Sequence, residues 1–172
     1  VVEISVSVKG ETSVLDALDS LILGRRRKKH LLNFIGVGLV ESTQQRFIDQ
    51  VDPDGVAWVP SIRALHTGGK TLMDTLLLLS SITYATTTDD VYIGTDVPYA
   101  RPLQEGAHIQ PVVAAWLIFN IPGVGWFRKK EVDLPPRPFL GFSAHDEDLI
   151  TDILYSFMQT FGQGSGKGNR YY

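Results

Sequence analysis

The sequence predicts an α+β domain in which a mainly antiparallel β-sheet packs with helices. Three stretches carry that reading. Val2, Ile4, Val6 and Val8 alternate with Glu3, Ser5, Ser7 and Lys9, the period-two pattern of a half-buried strand. Residues 81–95 alternate, turn at Thr87 to Asp90 and return through Val91 and Ile93, as a β-hairpin does. Leu149, Ile150, Ile153, Leu154, Phe157, Met158 and Phe161 share one helical face, and Asp146, Glu147 and Asp148 occupy its start, where acidic groups suit the helix dipole.

The remaining elements follow in order. Gly10 ends the first strand, and Ser13 caps a short helix whose apolar face is Val14, Leu15, Leu18, Leu21 and Ile22. Gly24 ends that helix. The basic run Arg25–Lys29 leads into a second helix reaching about Gln50, with a stripe through Leu32, Ile35, Leu39, Thr43 and Phe47. Gly36 and Gly38 weaken its middle or mark the close approach of another backbone. Asp52-Pro53-Asp54-Gly55 makes the stretch from Val51 to Ser61 a loop. Residues 71–80 are apolar and predict a helix. Val97 to Glu105 is a short helix or irregular stretch. Val112 to Ile121 reads as an apolar strand ended by Pro122-Gly123, and the Gly, Pro and charge of 122–138 predict a long loop. Gly162 stops the last helix, and GQGSGKGNRYY is a flexible tail by composition. The expected organisation is one domain over 1–161, with 107–138 as a long loop or extended insertion, followed by the tail 162–172.

Composition narrows the function classes. With 172 residues, 44% hydrophobic and 20% charged, the chain has ordinary globular usage, which argues against wholesale disorder. A net charge of −3 gives no whole-chain signature for nucleic acid or membrane, so any basic function is local. The absence of Cys excludes a disulfide scaffold, thiolate zinc sites and a cysteine nucleophile. No apolar run approaches the roughly 18 residues of a membrane span. The opening VVEISVSVKG, with no basic n-region and no continuous apolar h-region, reads as no signal peptide.

Motifs for chemistry are few. Ala64-Leu65-His66-Thr67-Gly68-Gly69-Lys70-Thr71 comes close to the phosphate loop G-x-x-x-x-G-K-[ST], in which backbone amides cradle phosphates and Lys reaches the terminal ones. A buried strand should precede such a loop, yet Pro60 interrupts the residues before it. His30, His66, His108 and His145 show no metal-ligand spacing, and G-x-S-x-G is absent. Asp89-Asp90 and Asp146-Glu147-Asp148 read as a turn and a helix start rather than an acid/base pair. No enzyme, cofactor or metal is expected. Arg25, Arg26, Arg27, Lys28 and Lys29 stand apart: five cations repel one another and oppose the dipole at a helix start, a cost that DNA or an acidic protein would offset. A solvated loop between two helices accounts for the run equally well.

Three fragments taken in order resemble the phage virion morphogenesis (tail completion) family of contractile-tailed and Mu-like phages. The first is Thr71-Leu72 with Asp74 to Ile82. The second is Val91 to Thr95, then Val97-Pro98-Tyr99-Ala100, and Gln104 before Gly106. The third is Pro136-Arg137-Pro138-Phe139-Leu140-Gly141, followed by the acidic helix start. Asp52-Pro53-Asp54-Gly55 with Trp58 and Pro60 is also similar to the family. The resemblance spans about residues 33–160. The chain departs from the pattern at Leu76, where Gly is expected after Thr75, at Leu103, where His often precedes the Gln, and at Arg101-Pro102. Residues 107–135 and the tail have no counterpart.

The resemblance implies a structural role without catalysis: the protein completes the tail and helps join it to the head connector. Six-fold tail symmetry implies a ring around the DNA channel, most simply a hexamer. The implied partners are further copies of the chain, neighbouring tail-tube or terminator and head-connector proteins, and DNA in the channel, with no membrane. The implied location is the tail or neck of the virion, and the host cytoplasm during assembly. Arg25 to Lys29 are then candidates for contact with the channel DNA or a partner. Tyr99 offers an amphipathic anchor, and Arg137 and Pro138 belong to a stiff extended arm that carries Phe139 and Leu140 into an apolar groove, either the chain's own or a neighbour's. A DNA-binding assembly factor is the rival reading, and a nucleotide-binding protein built on Ala64–Thr71 a third.

Overall fold

The computed structural model describes residues 25–162. The strand expected at Val2–Val8, the helix expected at Ser13–Ile22 and the tail beyond Gly162 lie outside the described residues. Helix α1 (Arg25–Asp49) includes the basic run, so Arg25–Lys29 belong to a helix and not to a loop. Its buried stripe runs through Leu31, Leu32, Ile35, Leu39, Thr43, Arg46 and Phe47, the i, i+3, i+4 spacing of a core-facing helix.

Gly36 and Gly38 are explained by what α1 receives. Strands β1 (Thr83–Thr86) and β2 (Val91–Gly94) form the expected hairpin, with Tyr84 opposite Ile93 and Thr86 opposite Val91. The ring of Tyr84 lies on Gly36, where a Cβ would come within 2.3 Å of it. Helix α5 (Ala144–Gly162) packs nearby, and Leu149 and Ile153 lie against Gly38. Side chains, rather than another backbone, use the space that the glycines leave. Gly36→Ala should therefore destabilise the protein by about 1–3 kcal/mol despite alanine's better helix propensity, because the ring must shift. Urea denaturation of the variant against the parent measures this, and a gain in stability would mean that the ring moves freely.

Between α1 and the hairpin the chain is tied rather than helical. Gln50 ends α1 at φ 61, its Nε2 donating to the carbonyls of Phe47 (2.6 Å) and Thr71 (3.0 Å) while its Oε1 accepts from Thr71 N. Val51 and Ala57 bridge across the DPDG turn, where Asp52 Oδ1 accepts from the amides of Asp54 and Val56. Short helix α2 (Ile62–Thr67) is capped by Ser61 and stopped by Gly68 at φ 70. The helix expected over 71–80 shrinks to α3 (Leu77–Ser81). Thr71 is pinned by Gln50, and Leu72 and Leu76 take φ 61 and 60, which no right-handed helix accommodates. Leu76 thus adopts a left-handed conformation that favours glycine, at a cost of about 1–2 kcal/mol.

Helix α4 (Ala100–Glu105) follows, then β3 (Ala107–Ile109), β4 (Leu117–Ile121), β5 (Gly125–Lys129) and β6 (Val132–Leu134). Strand β3 pairs with β6 and β4 with β5, both antiparallel. Two expectations differ here. The strand predicted from Val112 begins only at Leu117, and Val112 and Val113 are 98% and 97% exposed. The loop predicted over 122–138 contains β5 and β6, because Pro122-Gly123, with Gly123 at φ 79 and Val124 N bonded to Ile121 O, forms a tight turn. The fold class is α+β, with the strands in three two-stranded antiparallel ribbons among the described residues. The core gathers Phe47, Trp58, Leu78, Ile93, Phe139 and Phe157 between α1, the hairpin and α5.

Candidate functional site

The best-defined polar arrangement lies where the proline-rich segment 135–143 crosses α1. Proline fixes φ and supplies no amide, so this arm stays extended and its remaining polar groups need partners from elsewhere. Arg137 N donates to Leu103 O (2.8 Å), and Arg137 Nε donates to Val59 O (2.7 Å). Trp58 Nε1 donates to Pro138 O (2.8 Å). Gln104, from α4, grips the next peptides: its Oε1 accepts from Phe139 N (2.9 Å) and Leu140 N (3.0 Å), and its Nε2 donates to Leu140 O (2.7 Å). Phe139 is 0% exposed and lies 5.3 Å, centroid to centroid, from Phe47, which meets Trp58 edge to face. Here the arm occupies its own chain's groove.

Beneath the arm, Arg46 of α1 spreads its guanidinium over four acceptors. Its Nη1 donates to Phe139 O (3.1 Å) and Gly141 O (2.9 Å), while Nη2 reaches Ser143 Oγ (3.4 Å) and pairs with Asp146 Oδ2. Asp146 is completely buried and also accepts from Ser42 Oγ (2.5 Å) and Ser143 N (2.8 Å). Burial acts to raise the Asp146 carboxyl, but hydrogen bonds from Ser42 and Ser143 and the charge of Arg46 outweigh it and hold the group below the usual carboxylate range. Ser143 Oγ in turn accepts from Asp146 N (3.2 Å), so Ser143 and Asp146 form a reciprocal cap at the start of α5. No described buried polar side-chain atom lacks a partner. The network ties the arm and the start of α5 to α1.

The other residues singled out in the sequence fall apart from it. Arg26, Arg27 and Lys29 are exposed on α1, whereas Lys28 is half-buried and pairs with Asp89 in the β1–β2 turn. Tyr99 is exposed at the start of α4. The phosphate-loop-like stretch begins inside a helix: Ala64 to Thr67 belong to α2, Lys70 Nζ donates to Ile48 O (2.6 Å) at the end of α1, and Thr71 Oγ1 accepts from Ser61 N. Those bonds take up the two side chains that a nucleotide would need. His30, His66 and His145 are exposed. His108 bonds Asp133 across β3 and β6 (2.6 Å), which raises the imidazole's pKa. Among the described residues no three His, Asp or Glu side chains gather as metal ligands.

A groove of about 690 Å³ opens beside the arm. Its walls come from Val59 to Arg63, from Leu72, Asp74, Thr75 and Leu78, from Tyr99 and Leu103, from Phe119 and Ile121 of β4, and from Val132 to Pro135 with Arg137. Sequence reasoning missed Arg46 and Ser42, whose only signal was a polar residue on an apolar helical stripe. It named Gln104 without its role. The S-x-x-D spacing of Ser143 and Asp146 was readable as a cap, but the burial of Asp146 was not.

No curated protein and no solved structure matches the chain. One family description does, across residues 10–159, and it encloses α1, the DPDG turn, the Gln104 clamp, the arm and the Arg46–Asp146 network. The chain belongs to the phage virion morphogenesis family.

Proposed function

We propose that the protein completes the phage tail at the neck, helping to join it to the head connector as a ring, six copies in the simplest case, around the DNA channel. The match to a virion morphogenesis family over residues 10–159 carries this reading. It fits a described interior in which every buried polar side-chain atom has a partner within the chain. The partners proposed are further copies of the chain, adjacent tail-tube or terminator proteins and head-connector proteins.

Arg26, Arg27 and Lys29, exposed on one end of α1, supply the surface toward channel DNA or the neighbouring ring. Replacing Arg26, Arg27 and Lys29 with Gln, with Lys28 and its pair to Asp89 kept, should leave the melting temperature unchanged or slightly higher, since mutual repulsion falls and the exposed charges do little for stability. Joining of filled heads to tails, counted by electron microscopy, should fall. A variant that melts early yet assembles normally would make the block structural.

Native mass spectrometry of the purified protein tests the ring, and imaging of particles made without the gene tests the neck position. Unjoined heads and tails are expected. The same exposed cations favour a second reading, a DNA-binding assembly factor. A monomer whose DNA affinity falls steeply with salt would support that reading instead.

A further inference from the structure

We propose that the outer face of the β4–β5 hairpin of one copy docks into the groove beside the arm of an adjacent copy, forming the subunit contact of the ring. This rests on the ring reading above. Strand register places Ile118 opposite Arg128 and Asn120 opposite Trp126, so these four share one face. Ile118 is 68% exposed and Trp126 75% exposed, an uncovered pair of the kind found at the centre of interfaces. Arg128 lies 4.3 Å above the Trp116 ring, with Lys130 at 5.5 Å, which fixes cations beside that apolar surface.

The hairpin's own groove cannot take this face. Phe119 stacks with Phe127 at 5.8 Å on the opposite face, and Phe119 and Ile121 already line the groove. A strand that presents alternate residues to its own chain presents the others away from it. The turn is also held down, since Gly123 leaves room for Thr67 where a Cβ would come within 2.5 Å. Among the described residues none of the same copy covers this face, and a second copy supplies the cover.

The groove suits that occupant. Its walls are mostly apolar, and its most exposed charged groups are the carboxylates of Asp74, beside the less exposed Arg63, and Asp133, bonded to His108, while Arg137 is buried against Val59 O. An apolar face rimmed by Arg128 and Lys130 meets an apolar groove edged by two carboxylates. The two patches differ, so each copy donates one and accepts the other, which is the heterologous arrangement that closes rings.

The chain has no cysteine, so paired cysteines report the contact cleanly. Ile118→Cys and Tyr99→Cys, purified separately, mixed and mildly oxidised, should give a disulfide-linked dimer that neither variant gives alone. No product in the mixture, or equal product from either variant alone, overturns the contact. Trp126→Asp lies on an exposed face and should keep the parent's far-ultraviolet spectrum while weakening association at least tenfold in native mass spectra. If Trp126→Asp still forms the parent's ring, the proposed contact is wrong and the ring stands. If the parent protein is monomeric at every concentration, ring and contact fall together.

Discussion

Asp146→Ala is expected to cost about 3–5 kcal/mol of stability, the size of effect seen when one member of a buried ion pair is removed. The reason is what remains. Arg46 is 7% exposed at its side chain and would keep its charge with one carboxylate fewer. Ser42 and the amide of Ser143 would lose their acceptor, and α5 would lose half of its reciprocal cap. Replacing both partners with apolar residues, Arg46→Met with Asp146→Leu, should recover much of the loss, since no buried charge is left behind. The parent should also show an acid limb. The Asp146 carboxyl titrates lower when folded than when unfolded, so its contribution is present above about pH 4 and lost as pH falls through the folded value. Asp146→Asn should flatten that limb in urea titrations at stepped pH. An Asp146→Ala cost under 1 kcal/mol would mean that water reaches Arg46.

The second large effect is expected from Phe139→Ala, again about 3–5 kcal/mol, the range for deleting a fully buried aromatic ring. Phe139 touches Phe47 directly and brings the peptides that Gln104 grips into register. Phe139→Leu, which keeps most of the volume, should cost less than half as much. Chemical denaturation of dilute protein measures both. A cost below 1 kcal/mol would mean that the arm leaves its own groove in solution and occupies a neighbour's, the alternative that the sequence left open.

Legibility followed the range of the interactions. The α1 stripe, the β1–β2 hairpin and the helix start at Asp146 depend on spacing within a few residues, and periodicity reveals them. The helix expected over 71–80 misled because its leucines look helical alone, whereas Gln50, twenty-one residues earlier, holds Thr71 in another conformation. The β4–β5 turn was hidden because Pro122-Gly123 reads equally as the end of a strand and the middle of a hairpin. In the site, the arm was visible as stiff and apolar, but its groove is made by Trp58 and Gln104 from distant segments. Arg46 was least visible of all. Nothing near it in sequence signals the carboxylate that justifies burying a guanidinium.

That distance has a consequence for synthesis. Arg46 and Asp146 are separated by 100 positions, so the partner of a charge placed in α1 is translated 100 residues after it. At about 5–20 residues per second, Arg46 waits roughly 5–20 seconds for its carboxylate after leaving the ribosome tunnel. Until then α1 cannot bury its stripe without stranding a cation, and the growing chain is kept from closing its core early. A chain that stops before Asp146 cannot complete the pair, so its core stays open.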